Sequence, residues 1–236
     1  MQRLVVSEAQ FTDLSRVNLT TEQRHYLLSV LRLRAGDRLI VLNGLGQAWL
    51  GELTETEEIQ LIESQHLQTE CPIPVKLVAA LPKNGFDEVV RCCTELGVTQ
   101  IYPVISERTI LKPSENKLKR WRKIATEAAE QSERAIVPKI ETPQPFLQLL
   151  ETLSPEQTYL CGAREKSLHL LDALPKTLPP EITVLIGPEG GWTETEIQQA
   201  IAKGMPVVSL GNSILRAVTA SITAIALVNS HCRPGN

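Results

Sequence analysis

A chain of 236 residues that is 42% hydrophobic and 22% charged has the size and composition of an ordinary soluble globular protein, with one large domain or a small one joined to a medium one. Its formal net charge of -3 argues against a protein that coats nucleic acid indiscriminately, because such affinity comes from neutralising many phosphates. The longest apolar runs, such as residues 222–228, are too short to span a bilayer, and the opening MQRLVVSEAQ lacks the basic region, apolar core and cleavage site of a secretion signal, so export is not expected.

In chain order, the first seventy residues read as a small β-rich unit with one helix. Residues 25–33 carry apolar side chains at helical spacing until Ala35-Gly36-Asp37 breaks the pattern. Strand-like runs at 38–42 and 47–53 flank Asn43-Gly44-Leu45-Gly46, good hairpin chemistry because Asn and Gly tolerate positive φ, and a third run follows at 59–64. Short strands separated by turn signals predict a barrel. The polar, proline-bearing stretch 68–74 marks a domain boundary, giving domains 1–70 and 71–236.

Beyond it, short apolar runs alternate with helical stretches, the pattern of βαβ units around a largely parallel sheet. Strands are predicted at 75–81, 101–105, 158–161, 182–186 and 207–210, and helices at 86–96, 194–203 and 217–229. A long helix runs from Ser114, a candidate N-cap, to about residue 132.

Five scattered cysteines (Cys71, Cys92, Cys93, Cys161, Cys232) include no CxxC pair, and the four histidines are equally dispersed. Neither a disulfide framework nor a metal site is expected, and the expected compartment is the reducing cytoplasm. Candidate basic faces are Arg24, Arg32, Arg34 and Arg38 in the first unit, and Lys112, Lys117, Lys119, Arg120, Arg122 and Lys123 in the second. For any single one of these, solvated surface charge is the plainer reading.

Ligands of open α/β sheets gather at the carboxyl ends of the strands, and two loops there stand out. Gly187-Pro188-Glu189-Gly190-Gly191-Trp192 follows an apolar strand and enters a helix that Thr193 and Glu196 can cap reciprocally. Its glycines let backbone approach a ligand closely, yet it lacks both the GK[ST] ending of a P-loop and the GxGxxG spacing of a dinucleotide fold. Glu189 would repel a polyphosphate and suits a ligand with a positive centre. Alone, the loop reads almost equally well as a tight turn. The next strand, however, ends in Ser209-Leu210-Gly211-Asn212-Ser213-Ile214-Leu215-Arg216, a second small-residue loop able to form another wall of one pocket. Arg216 opens an otherwise apolar helix, either as a rim charge or as a donor to RNA. A third cluster, Glu127, Glu130, Gln131 and Arg134, shares one face by helical spacing, for which an exposed charged face is the plainer reading.

Taken in order, these elements resemble the 16S ribosomal RNA uracil-N3 methyltransferases, the RsmE family of the SPOUT superfamily. The resemblance runs through Met1-Gln-Arg3, His25-Tyr-Leu-Leu-Ser-Val-Leu-Arg-Leu33 with Gly36-Asp37, and Thr94-Glu-Leu-Gly-Val98. It continues through Ile101-Tyr-Pro103, Ser106-Glu-Arg108, Trp121, Glu127-Ala-Ala-Glu-Gln-Ser132 with Arg134, Val137-Pro138, Ile186-Gly-Pro-Glu-Gly-Gly191, Leu210-Gly211 and Ile214-Leu-Arg216. It implies an α/β chain with an N-terminal PUA-like β-barrel that helps bind RNA and a C-terminal SPOUT α/β domain tied in a deep trefoil knot. It also implies a homodimer acting on 16S ribosomal RNA, within the small ribosomal subunit, with S-adenosylmethionine as cofactor.

The cofactor would lie among Leu160, Gly162, Ala163, Ile186, Gly187, Pro188, Glu189, Gly190, Gly191, Ser209, Leu210, Gly211, Ile214, Leu215 and Arg216. Arg216 is the first choice to stabilise negative charge developing on the uracil, Glu130 a candidate proton acceptor, and Gln131 and Arg134 candidates to place the substrate. Arg3, Arg24, His25 and Arg32 are candidate RNA contacts, His25 being equally readable as a satisfied, half-buried histidine. One departure stands out. Many members continue the motif as Thr-Glu-Thr-Ala, where this chain has Ala217-Val218-Thr219-Ala220, so no general base is carried to position 218. Competing readings are a ribose 2′-O-methyltransferase of the same superfamily and a non-catalytic assembly factor that binds RNA.

Overall fold

The computed structural model describes all residues except Leu14, Lys112, 163–166 and 234–236. Ala163 and Lys112, singled out above, therefore lie outside the described residues. The chain divides into two compact units, one formed by Met1–Glu70 with Ala129–Val137 and the other by Cys71–Ala128 with Pro138–Asn236.

The first unit contains β1 (Arg3–Val5), β2 (Arg16–Asn18), α1 (Thr21–Arg24), β3 (Arg38–Leu42), β4 (Ala48–Leu53) and β5 (Glu58–Gln65). The strands form one sheet in the order β1-β3-β4-β5-β2, parallel between β1 and β3 and antiparallel elsewhere. Alternation along the strands puts Leu39, Val41, Leu53, Ile59 and Leu61 into a core shared with Leu4, Val6, Val17, Leu19 and Leu27. The β3–β4 turn forms as its residues predict. Asn43 Oδ1 accepts from the amides of Leu45 and Gln47 at 2.9 and 3.0 Å, and Gly44 and Gly46 take φ of 71° and 104°.

Two expectations change here. The apolar periodicity of 25–33 is not an α-helix: α1 ends at Arg24, and His25–Val30 form a π-helical turn in which Leu31 N donates to Tyr26 O at 2.9 Å. The helix begins earlier than the periodicity suggests because Thr20 and Gln23 cap it reciprocally, the Gln23 amide donating to Thr20 Oγ1 at 3.2 Å. In addition, residues 129–137 belong to the first unit rather than the second. Gly46 N donates to Ala135 O at 3.1 Å and Val137 N to Gly44 O at 2.9 Å, so this segment closes on the hairpin turn.

The second unit runs β6 (Val75–Ala80), α2 (Phe86–Glu95), β7 (Gln100–Ile105), α3 (Glu115–Gln131, whose last residues count with the first unit), β8 (Lys139–Ile140), β9 (Gln144–Pro145) and α4 (Phe146–Leu150). It continues with β10 (Thr158–Cys161), β11 (Leu168–His169), α5 (Leu170–Ala173), β12 (Ile182–Ile186), α6 (Glu194–Ala202), β13 (Val207–Ser209) and α7 (Ala217–His231). The strands form a wholly parallel sheet in the order β11-β13-β10-β12-β6-β7-β8, with β9 also on β7. Every residue of the central β12 is buried, the composition expected of a parallel strand covered on both faces. Phe86, Val89, Val90, Cys93 and Thr94 give α2 one buried stripe, and α7 packs against α2, β6 and β12. This arrangement places the carboxyl ends of three neighbouring strands, β13, β10 and β12, side by side.

Candidate active site

A cavity of about 310 Å³ opens at those three strand ends, near the lower limit for small-molecule sites. Gly162 lines it after β10, residues 186–192 after β12, and Leu210, Gly211, Ser213, Ile214 and Leu215 after β13. Ala217 and Ala220 complete it from the first turn of α7, and Glu194 and Ile197 from α6. The two glycine-bearing loops thus meet in one pocket.

The β12 loop is held from several sides. A Cβ built on Gly187 would stand 3.1 Å from Trp192 N and 3.2 Å from its indole ring, so any larger residue would have to push the Trp192 segment away by a few tenths of an ångström. The Trp192 ring is buried and stacks on Phe146 with centroids 4.2 Å apart. At the start of α6, Glu196 Oε2 accepts from the Thr193 amide at 2.8 Å, the capping box expected from the sequence. The other oxygen of Glu196 accepts from the Glu107 amide at 3.0 Å, tying the segment after β7 to this helix. That tie sets up the neighbouring Arg108, whose Nη1 donates to Gly190 O at 2.6 Å and to Trp192 O at 3.4 Å.

Among the described residues, the ionisable groups that line the pocket are Arg108, Glu189, Glu194 and Cys161. Glu189 Oε1 accepts from the Lys83 amide at 2.9 Å. Burial pushes the Cys161 thiol up to about 12, so it remains a neutral, small apolar wall rather than a nucleophile. Trp192 Nε1 is a buried donor without a partner among the described residues, of the kind a bound acceptor would satisfy. Apolar walls, close backbone, an orphan donor and two carboxylates, Glu189 and Glu194, suit an uncharged aromatic ring joined to a cationic centre.

Of the residues expected around the cofactor, Gly162, Ile186, Gly187, Pro188, Glu189, Gly190, Gly191, Leu210, Gly211, Ile214 and Leu215 line this cavity, whereas Leu160, Ser209 and Arg216 do not. Leu160 is fully buried in the core with Val78, Val104 and Leu185, and Cys161, the next residue on β10, lines the pocket instead. Arg216 sits at the N-cap of α7 between two lining residues, exposed, its carbonyl accepting from the Ala220 amide at 2.8 Å and its side chain making no hydrogen bond or ion pair among the described residues. Trp192 and Ser213 line the cavity from within the two marked loops and Ala217 and Ala220 from the motif that follows the second, whereas Arg108, Glu194 and Ile197 were not anticipated as lining residues.

The cluster at 127–134 has a different task. The helical face drawn through Arg134 fails because α3 stops at Gln131 and Glu133 turns left-handed at φ 65°. Arg134 is 1% exposed, and its Nε and Nη2 donate to Glu70 Oε2 at 3.1 and 2.7 Å. A guanidinium enclosed in this way holds the first unit together. Glu130 Oε1 accepts from the Val5 amide at 2.7 Å, anchoring β1, while Gln131 is exposed.

Among the expected RNA contacts, Arg24, His25 and Arg32 are exposed, Arg24 with a long 3.8 Å pairing to Glu57. His25 is not the half-buried histidine of the plainer reading. Arg3 differs from the others, its side chain only 15% exposed and paired with Glu133 at 2.6 Å.

Residues 69–229 match the RNA methyltransferase domain family, and residues 19–63 match the RNA methyltransferase PUA domain. The chain is 49% identical over 234 residues to the ribosomal RNA small subunit methyltransferase E of a Synechocystis strain, covering 97% of this chain and 77% of that protein. It is 30% identical to the protein of the same name from Bacillus subtilis, covering 97% and 96%. The crystal structure of a ribosomal RNA small subunit methyltransferase E from Neisseria gonorrhoeae bound to S-adenosyl methionine superposes with a TM-score of 0.88 at 31% identity, covering 98% and 97%.

Proposed function

This chain belongs to the RNA methyltransferase family that includes the ribosomal RNA small subunit methyltransferases E, and from that premise we propose that it methylates N3 of a uridine in 16S ribosomal RNA. The observation that carries this reading is the pocket at the ends of β13, β10 and β12, whose glycine loops, orphan indole donor and Glu189 fit S-adenosylmethionine. That cofactor, when bound, supplies an electrophilic methyl group on a sulfonium.

Residues of this chain do the rest. The backbone of 186–191 and 210–215 encloses and orients the ligand, and Glu189 complements its positive centre. Transfer needs an in-line approach of N3 to the methyl carbon, so positioning and electrostatics provide most of the acceleration. Arg216, exposed beside the pocket and at the N-terminus of a helix whose dipole adds positive potential, stabilises negative charge as it develops on the uracil. Arg24, His25 and Arg32 of the PUA-like unit bind RNA phosphates.

The active form is a homodimer, a reading supported by Ile214, an apolar pocket residue left 68% exposed in the single chain. The C-terminal domain carries a trefoil knot. Supporting this, β13 is the last strand in sequence but lies inside the sheet, between β10 and β11. The setting is the cytoplasm, and the substrate is the small ribosomal subunit.

Calorimetric titration of the chain with S-adenosylmethionine tests the pocket assignment. Stoichiometric binding is expected, and no binding would favour a non-catalytic assembly factor.

A further inference from the structure

We infer that Glu189 is the group that accepts the N3 proton of the uracil, an inference that rests on the uracil-N3 reading above. The N3 proton of uracil dissociates well above neutral pH, so a nearby acceptor should accelerate the transfer. Among the described residues the carboxylates that line the pocket are Glu189 and Glu194. Glu194 is the first residue of α6, and its Oε1 accepts from Gln198 Nε2 at 2.8 Å. Buried Glu196 is consumed by the helix cap and by the Glu107 amide. Glu130 is engaged at Val5 in the first unit. Glu189 and Glu194 are both exposed, each with Oε1 hydrogen-bonded and Oε2 without a partner among the described residues, but the fixed oxygen of Glu189 is held by the Lys83 amide, in the turn that approaches α7 at Gly85, whereas that of Glu194 is held within its own helix.

Its position relative to α7 completes the case. The turn that holds Glu189 through Lys83 also carries Gly85, where a built Cβ would lie 2.9 Å from Val218 Cγ2. Glu189 and the first turn of α7 therefore flank one short loop. Val218 contributes no titratable group there, and Arg216 stands two residues away. The Glu189 carboxylate lines the pocket and the exposed Arg216 stands next in sequence to lining residues at the start of α7, one to take a proton and one to hold the resulting charge.

In the step, the N3–H bond breaks and its proton goes to Glu189 Oε2. The nitrogen pair forms the new bond to the methyl carbon, and the carbon–sulfur bond breaks with its pair retained on sulfur as a neutral thioether. Nothing further is required for the balance, and solvent later removes the proton from Glu189.

The test is Glu189→Gln, read by single-turnover methyl transfer to unmodified small subunits as a function of pH, with S-adenosylmethionine affinity measured separately by calorimetry. At neutral pH and saturating S-adenosylmethionine the rate should fall by about 10²-fold or more, over and above any weakening of cofactor binding that the lost charge brings. The deficit should narrow as pH rises, because an already ionised uracil needs no acceptor. An unchanged rate would overturn the inference, as would a rate loss that is independent of pH or that follows a matching loss of cofactor affinity. Wild-type enzyme assayed in parallel separates the two levels: failure of the wild type to form 3-methyluridine would defeat the functional reading, whereas a normal wild type with an unimpaired variant would defeat only the role of Glu189.

Discussion

Arg108 reaches from the segment after β7 to donate to the carbonyl of Gly190 at 2.6 Å, although the two residues are 82 positions apart. The bond fixes the middle of the glycine loop, which has few side chains of its own with which to hold a shape. Arg108→Ala should therefore weaken S-adenosylmethionine binding by roughly tenfold, the size expected for losing one charge-assisted hydrogen bond of about 1.5 kcal/mol. Because Arg108 is exposed, its removal should leave the thermal midpoint nearly unchanged. Calorimetry paired with thermal denaturation separates the two effects.

Gly187→Ala tests the same loop from within. The added methyl would sit at 3.1 to 3.2 Å from Trp192 N and the indole ring, so either the ring shifts away from Phe146 or the strand end withdraws. Cofactor affinity should fall, and the fluorescence of Trp192 should change in the free protein. Unaltered affinity would show that the close approach at Gly187 has no bearing on the pocket.

The pairing of Arg134 with Glu70 predicts a loss of stability and not of chemistry. Arg134→Met would leave the Glu70 carboxylate without its partner in a mostly enclosed site, at a cost of about 3 kcal/mol, and Lys would not restore the two-pronged contact. Chemical denaturation should show the loss in the first unit. A variant of normal stability that had lost methyl transfer would return Arg134 to the substrate.

Alkaline pH should destabilise the chain through its buried thiols. Burial raises Cys161 and Cys232 from 9.0 to about 12, so folding favours the protonated form of each. Their contribution is fully present below pH 9.0, falls as unfolded chains release protons above it, and is lost as pH rises through about 12. Denaturation midpoints should therefore decline above pH 9, and Cys161→Ala should reduce the slope. At pH 8, alkylating reagents should leave Cys161 unmodified in the native protein.

What could be read from the sequence was what is local. The apolar run of β12, the glycine loop after it and the Thr193–Glu196 cap are neighbours in the chain, and their shapes follow from their own residues. Arg108 was invisible as a pocket residue because its partners Gly190 and Trp192 are carbonyls, which leave no mark on sequence pattern. Arg134 was misread because helical spacing was carried past Glu133, whose positive φ ends the helix face. The π-helical turn at His25–Val30 keeps apolar residues spaced much as an α-helix does, so periodicity could not tell them apart. Strands of two residues such as β8, β9 and β11 exist only through pairing with their neighbours.

The most direct measurement of the central claim uses small ribosomal subunits from a strain lacking this modification. They are incubated with the chain and methyl-labelled S-adenosylmethionine, and the labelled nucleotide is then digested out and identified. The account predicts a single site of 3-methyluridine in 16S ribosomal RNA. A 2′-O-methyl nucleotide, or no incorporation, would contradict it.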